Sequence, residues 1–91
     1  MNEPDWKGFF HHWPPETLRR GVLITGFGEQ IPFAGFLTSD DFLLVERQTP
    51  DTTGARTVVL PYGKVAAVKF TDVIKEKCFL AAGFEGSLVK K

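Results

Sequence analysis

Five short apolar runs, separated by clusters of residues that favour turns, predict five β-strands in the middle of the chain. The segments that are rich in β-branched and aromatic residues are 22–27, 31–38, 42–48, 57–60 and 65–70. Clusters of Gly, Pro, Ser and Asp separate them, and Gly28 supplies the positive φ that a tight turn requires. Each segment has the length of a strand. The sequence therefore predicts a mainly β domain.

Two short helices are predicted to flank the strands. The segment 16–20, ETLRR, follows two prolines, places its acid first and its bases last, and precedes Gly21, as in a capped helix. From Thr71 the apolar spacing becomes helical, and Gly83 provides an end for a second helix. One side of that second helix would carry Val73, Ile74, Lys77, Cys78 and Ala81. An extension of the last strand over the same residues remains an alternative.

The predicted organisation has three parts: an aromatic N-terminal arm (1–13), a small barrel domain with its flanking helices (14–82) and a C-terminal tail (83–91). The arm has no sustained helical or strand period. It carries four large aromatic residues: Trp6, Phe9, Phe10 and Trp13. Because disordered segments are poor in aromatic residues, we expect this arm to dock against the barrel or a neighbouring subunit.

Composition favours one small, self-associating domain. A chain of 91 residues buries only about 60–65% of its unfolded surface, and nine Phe and two Trp are more aromatic surface than so small a core hides. Eleven basic residues balance eleven acidic ones, so there is no overall attraction to nucleic acid or anionic lipid. The first 45 residues are net acidic and the remainder is net basic, which allows a local basic patch.

No residue pattern indicates catalysis, a metal or a cofactor. The single cysteine, Cys78, forms no internal disulfide and lies on a predicted apolar helix face, as a buried structural thiol does. His11 and His12 are adjacent and lack the spacing of metal ligands. Asp40 and Asp41 fit a turn better than an acid/base pair. We expect a protein that is not an enzyme, with no small-molecule substrate.

The location predicted from the sequence is cytoplasmic. There is no signal-peptide pattern after Met1, and the apolar runs are far shorter than the ~20 residues of a membrane span. A single cysteine also suits a reducing compartment.

The hairpin segment 31–46, IPFAGFLTSDDFLLVE, resembles the first signature of the Sm/LSm family. Gly35, Leu37, Asp41 and Leu44 occupy its glycine, hydrophobic, aspartate and hydrophobic positions. A short helix followed by five strands, with a sharp turn between the last two, is similar to the order of elements in that family. The resemblance implies a strongly bent, five-stranded, SH3-like barrel that assembles into a homo-oligomeric ring and binds RNA.

Two departures from the family pattern affect the implied RNA binding. Val45 stands where the family has a base-reading asparagine, and Pro61-Tyr62 replaces the arginine-glycine pair of the second signature. Aromatic rings that stack on bases and a lysine that meets phosphate remain at the corresponding loops. The RNA-binding candidates are therefore Asp41, Phe42, Tyr62, Gly63 and Lys64. We expect weak binding of single strands with little preference for uridine.

Self-association is expected through the edge strands of the barrel, whose unpaired backbone groups a neighbour can satisfy. The interface candidates are Thr57, Val58, Val59, Leu60, Val65, Val68 and Phe70. The run VVLPYGKVAAVKF also resembles the closing strands of PRC-type barrels. That second resemblance implies a protein-interaction or assembly module that does not bind nucleic acid.

Overall fold

The structure, a computed structural model, describes residues 4–88 and contains all five predicted strands. The strands are β1 (Gly21–Thr25), β2 (Gln30–Thr38), β3 (Phe42–Arg47), β4 (Thr57–Pro61) and β5 (Val65–Lys69). A 3-10 turn (Tyr62–Lys64) joins β4 to β5. Two six-residue helices, α1 (Trp6–His11) and α2 (Glu76–Ala81), flank the strands. The predicted mainly β class is confirmed.

The strands form one antiparallel sheet in the order β4-β3-β2-β1-β5. β2 has nine residues, and its two halves have different neighbours. Residues 30–33 pair with β1, whereas residues 33–38 pair with β3. The register shifts between Phe33 and Gly35, and a bulge of this kind bends a strand. β2 therefore bends between the half that pairs with β1 and the half that pairs with β3.

The short link between β4 and β5 requires the whole sheet to curve. These strands are consecutive in the chain but form opposite edges of the sheet. The edges of a flat five-stranded sheet would lie about 19 Å apart, whereas the chain from Pro61 to Val65 spans at most about 15 Å when extended and less in a 3-10 turn. The sheet therefore folds back on itself, yet it does not close: within residues 4–88, β4 pairs only with β3, and β5 only with β1.

Alternate side chains of the strands fill the concave side of the sheet. β1 shows the pattern most clearly, because its residues are buried and half-buried in strict alternation. The buried apolar residues of the strands are Leu23, Ile31, Phe33, Phe36, Leu43, Val45, Leu60 and Val65. β5 follows the pattern least closely, because Val65 is its only buried residue.

The aromatic arm, whose sequence has no sustained helical period, forms the short helix α1, and this helix packs on the core. The Asp5 carboxylate accepts a hydrogen bond from the Gly8 backbone N–H at 2.8 Å and caps α1. Phe10 is completely buried, with its ring 4.9 Å from that of Phe36 in β2. Because six residues are too few for a stable isolated helix, this burial holds α1 in place.

The helix predicted at 16–20 is absent. Glu16 has a φ of 58°, which a right-handed helix does not allow, and the Trp13 indole N–H donates to the Leu18 carbonyl at 3.1 Å, which tucks this segment against the arm. Gly21 does not end a helix: it begins β1, where a Cβ atom would collide with the Lys69 backbone carbonyl. The close approach of β1 and β5 therefore explains why position 21 carries a residue without a Cβ atom.

The second predicted helix is present but begins later than expected. The sequence also offers Thr71 or Asp72 as its cap, but neither caps it, since α2 starts at Glu76 and has no side-chain cap. Asp72 is engaged elsewhere: it accepts two hydrogen bonds from Arg20, at 2.8 and 2.9 Å. This pair ties the chain entering β1 to the chain leaving β5. Gly83 follows α2 with a φ of 108°, as a helix-ending glycine does.

Candidate nucleic-acid interface

The β2–β3 turn and the 3-10 turn, which carry the predicted RNA-binding residues, lie side by side. The Tyr62 hydroxyl donates to the Ser39 carbonyl at 2.7 Å and accepts from the Ser39 backbone N–H at 3.3 Å. Ser39 in turn holds Phe42, because its side-chain oxygen accepts from the Phe42 backbone N–H at 3.0 Å. Residues 23 positions apart in sequence are thereby joined in one surface.

The two sides of this surface meet through the pairing of β3 with β4. Phe42 lies opposite Pro61 in that pairing, so the first residue of β3 adjoins the start of the 3-10 turn. Phe42 and Asp41 are exposed, as are Gly63 and Lys64. The fold therefore brings the five predicted residues to one region, although they come from two separate loops.

Tyr62 has a structural role in this region. Its side chain is half-buried and packs against the hydrophobic core, while its hydroxyl is used by Ser39. Because the ring packs against the core and its hydroxyl is hydrogen-bonded, only part of the ring face is free to stack on a base. Tyr62 therefore positions the two loops, and Phe42, with 49% of its surface exposed, is the more accessible ring.

Phe27 is an exposed ring in this region that sequence reasoning missed. It lies in the β1–β2 turn with 83% of its surface exposed, and the Lys64 ammonium sits 5.2 Å from the centre of its ring. The Gly26 backbone N–H donates to the Lys64 carbonyl at 2.8 Å, which joins the two turns. An apolar residue between two turn-forming glycines was the available signal.

The charges at this end of the sheet are mixed. Lys64 is exposed, whereas Glu29, Asp40 and Asp41 are exposed acids in the neighbouring turns. Lys7 of α1 lies 3.4 Å from the Asp40 carboxylate, and an ion pair so open to water adds little stability. A phosphate would therefore meet one strong attraction and several repulsions.

Val45, which replaces the base-reading asparagine of the Sm pattern, is completely buried. Its side chain belongs to the same core as Leu43 and Phe33. A residue at this position has no access to a ligand, whatever its chemistry.

The predicted interface residues of β4 and β5 differ in exposure. Leu60 and Val65 are buried in the domain's own core, so only their backbones are available to a neighbour. Val58, Val68 and Phe70 are half-buried against that core. Thr57 and Val59 are exposed.

An apolar row crosses the convex face of the sheet, and the sequence analysis did not identify it. Leu37 in β2 pairs with Leu44 in β3, and Leu44 pairs with Val59 in β4. Leu37 and Val59 are 63% and 56% exposed. The residues are far apart in sequence, so only the strand register aligns them. The row ends at the free edge of β4.

Among the carboxylates of residues 4–88, Asp51 and Asp72 have clearly shifted pKa values, and both serve the fold. Hydrogen bonding by Arg20, aided by its charge, holds the pKa of Asp72 below its ordinary value and raises that of Arg20. Hydrogen bonds from the Thr53 hydroxyl and the Ala55 backbone N–H lower the pKa of Asp51 in the β3–β4 loop. Neither group lies in the cluster around Tyr62.

Other candidate chemistry is not assembled in the part of the chain that the structure describes. Between residues 4 and 88, no three His, Cys, Asp or Glu side chains come close enough together to hold a metal ion. Cys78 is buried in α2 as a free thiol. No helix in the same range has the length and apolar character needed to cross a membrane.

Comparison of the chain with protein-family models, with curated proteins and with solved structures found no match.

Proposed function

We propose that this protein is an Sm-like module that assembles edge to edge into a ring and binds single-stranded RNA weakly, with little base selectivity. Its activity is binding, and it is not an enzyme. The proposal combines the sequence resemblance with a curved five-stranded sheet whose two edges have no partner strand within residues 4–88.

The observation that carries the proposal is the character of the two edge strands. The protecting residues stand only at the strand ends: β4 has no charged residue and ends at Pro61, and β5 has only Lys69, at its end. Proteins that remain monomeric usually protect such edges with charges or with a covering segment. Each strand has five residues, so β4 of one copy matches β5 of the next in length. Repeating this contact around the curve of the sheet would close a ring.

The cluster around Tyr62 supports RNA as the ligand of the ring. Assembly would repeat Phe42 and Lys64 at regular intervals, so that weak contacts of one subunit act together on one strand. Stacking on aromatic rings needs no particular base, and it contributes about 1–3 kcal/mol per base. Because Val45 is buried, this surface has no equivalent of the family's base reader.

Measurement of the absolute mass by light scattering tests the assembly. We expect one defined species larger than a dimer at micromolar concentration. Val59→Lys places a charge on the edge strand and should shift the mass towards the monomer, whereas Val73→Lys, at a fully exposed position outside the sheet, should leave the mass unchanged. A monomeric wild-type protein at high micromolar concentration would refute the ring.

Fluorescence polarisation with short labelled oligonucleotides at low salt tests the RNA binding. Binding should weaken as salt rises and should fall for Tyr62→Ala and Lys64→Ala. Tight, uridine-selective binding would contradict the interpretation that Val45 replaces the family's base-reading asparagine and leaves no base reader. Absence of binding at high micromolar protein would refute RNA as the ligand.

The apolar row Leu37–Leu44–Val59 favours a second candidate, a protein-interaction or assembly barrel like the PRC-type modules. Exposed contiguous apolar surface is typical of protein contacts, and Leu37 and Val59 are more than half exposed. Leu37→Lys distinguishes the candidates: it lies on central strand β2, so it should leave edge-to-edge assembly intact but abolish a contact made through the convex face.

A further inference from the structure

The turn between β1 and β2 holds Phe27 in a defined position. Gly28 takes a φ of 86°, and the Gly28 backbone N–H donates to the Thr25 carbonyl at 2.9 Å. The hydroxyl of buried Thr25 accepts from the backbone N–H groups of Phe27 and Glu29 at 3.3 and 3.2 Å. A turn with this many internal hydrogen bonds presents its tip residue with little freedom, so a ligand that meets it loses little entropy on binding.

A backbone hydrogen bond holds the main chain of Lys64 beside the turn that carries Phe27. The hydrogen bond from Gly26 to the Lys64 carbonyl, 2.8 Å long, joins this turn to the 3-10 turn. The ammonium group then lies 5.2 Å from the ring centre, at the distance of a cation–π contact. A flat apolar surface and a positive charge are thus placed next to each other, with most of the ring open to solvent.

From this arrangement we propose that Phe27 and Lys64 form a nucleotide subsite, in which an unpaired base stacks on the exposed face of Phe27 and the adjoining phosphate pairs with Lys64. The inference rests on the proposed RNA binding and adds Phe27, from a third loop, to the candidate residues of the loops that carry Asp41 and Tyr62.

The chemistry of the pair favours a nucleotide over a purely apolar ligand. An apolar side chain would gain from the ring but would compete with the charge of Lys64 for the same space. A nucleotide satisfies both, because its base offers a π surface and its phosphate offers an anion. Glu29 lies in the same turn and is exposed, so its charge opposes the phosphate. We therefore expect Glu29→Gln to tighten binding.

Oligonucleotide binding by Phe27 variants of the full chain tests the subsite. Phe27→Leu keeps an apolar side chain but removes the ring. It should weaken binding of a short RNA by about 5- to 150-fold, which corresponds to the free energy of stacking one base. Phe27→Trp keeps a stacking surface and should restore binding. The same variants should bind an abasic strand equally, since that probe has phosphates but no bases.

One control variant and one further test variant separate the subsite from other roles of these residues. Val73→Leu changes an exposed apolar residue away from the turns and should leave RNA binding unchanged. Lys64→Gln should lower the salt dependence of binding by about one phosphate contact, a change of about 0.7 in the slope of log affinity against log salt.

Three results overturn the inference. If wild type binds RNA and Phe27→Leu binds equally well, the subsite is wrong while the proposed function stands. If wild type binds no oligonucleotide, both fall. If Phe27→Leu lowers the oligomer mass, Phe27 is a subunit contact, and the base-stacking role is wrong.

Discussion

Replacement of Phe10 by alanine tests whether the aromatic arm is part of the core or a removable cover. Phe10 is the only fully buried residue of α1. Its ring stacks on Trp13 at 5.6 Å and meets Phe36 edge-on at 4.9 Å. The substitution removes a ring that joins the arm to the central strand of the sheet. We expect it to destabilise the whole domain rather than to release α1 alone.

The magnitude follows from the complete burial of this ring. Phe→Ala at a buried site costs about 3–5 kcal/mol, and a domain of this length has a total free energy of unfolding of about 5–14 kcal/mol. The variant should therefore lose a large fraction of its stability. A loss of 3 kcal/mol lowers the Tm of a domain this small by at least about 12 °C. Deletion of residues 2–13 should also lower the Tm or cause aggregation.

Urea unfolding followed by circular dichroism measures this difference, and the chain contains its own control. Phe27→Ala is the same chemical change at a position with 83% exposure, where substitutions usually alter stability by less than about 0.5 kcal/mol. Equal midpoints for the two variants, with equal slopes, would refute the assignment of α1 to the core.

Two further predictions concern the hydrophobic core and the loss of stability at low pH. Val45→Asn restores the residue type of the Sm signature. It should destabilise the domain by about 2–5 kcal/mol and confer no uridine preference, because it buries an amide at a site without solvent access. A stable variant that binds uridine selectively would contradict this prediction. The lowered pKa values of Asp51 and Asp72 add stability that is present above their unfolded values, about 3.9, and is lost as pH falls through the lower folded values. The Tm should therefore fall below about pH 4, and the difference in Tm between wild type and Asp72→Asn should become smaller there. A difference in Tm that stays constant down to pH 2 would show that the Arg20–Asp72 pair does not contribute to stability.

The sequence by itself determined the strands, because their signal is local. Each strand is a short run rich in β-branched and aromatic residues, and residues that favour turns bound it on both sides. The turn at Gly28 was equally local, since its positive φ is a property of one residue. Sequence and resemblance together also named the loop residues around Tyr62 before their proximity was known.

Only the tertiary structure decided where the N-terminal helix lies. The segment 16–20 has the better capping pattern, yet α1 forms at Trp6–His11, because burial of Phe10 and Trp13 outweighs a weak local preference. Pairs that come from distant segments were likewise beyond a local pattern. Lys64 meets Phe27, and Leu37 aligns with Val59 through Leu44, because strand register and the curvature of the sheet place them together.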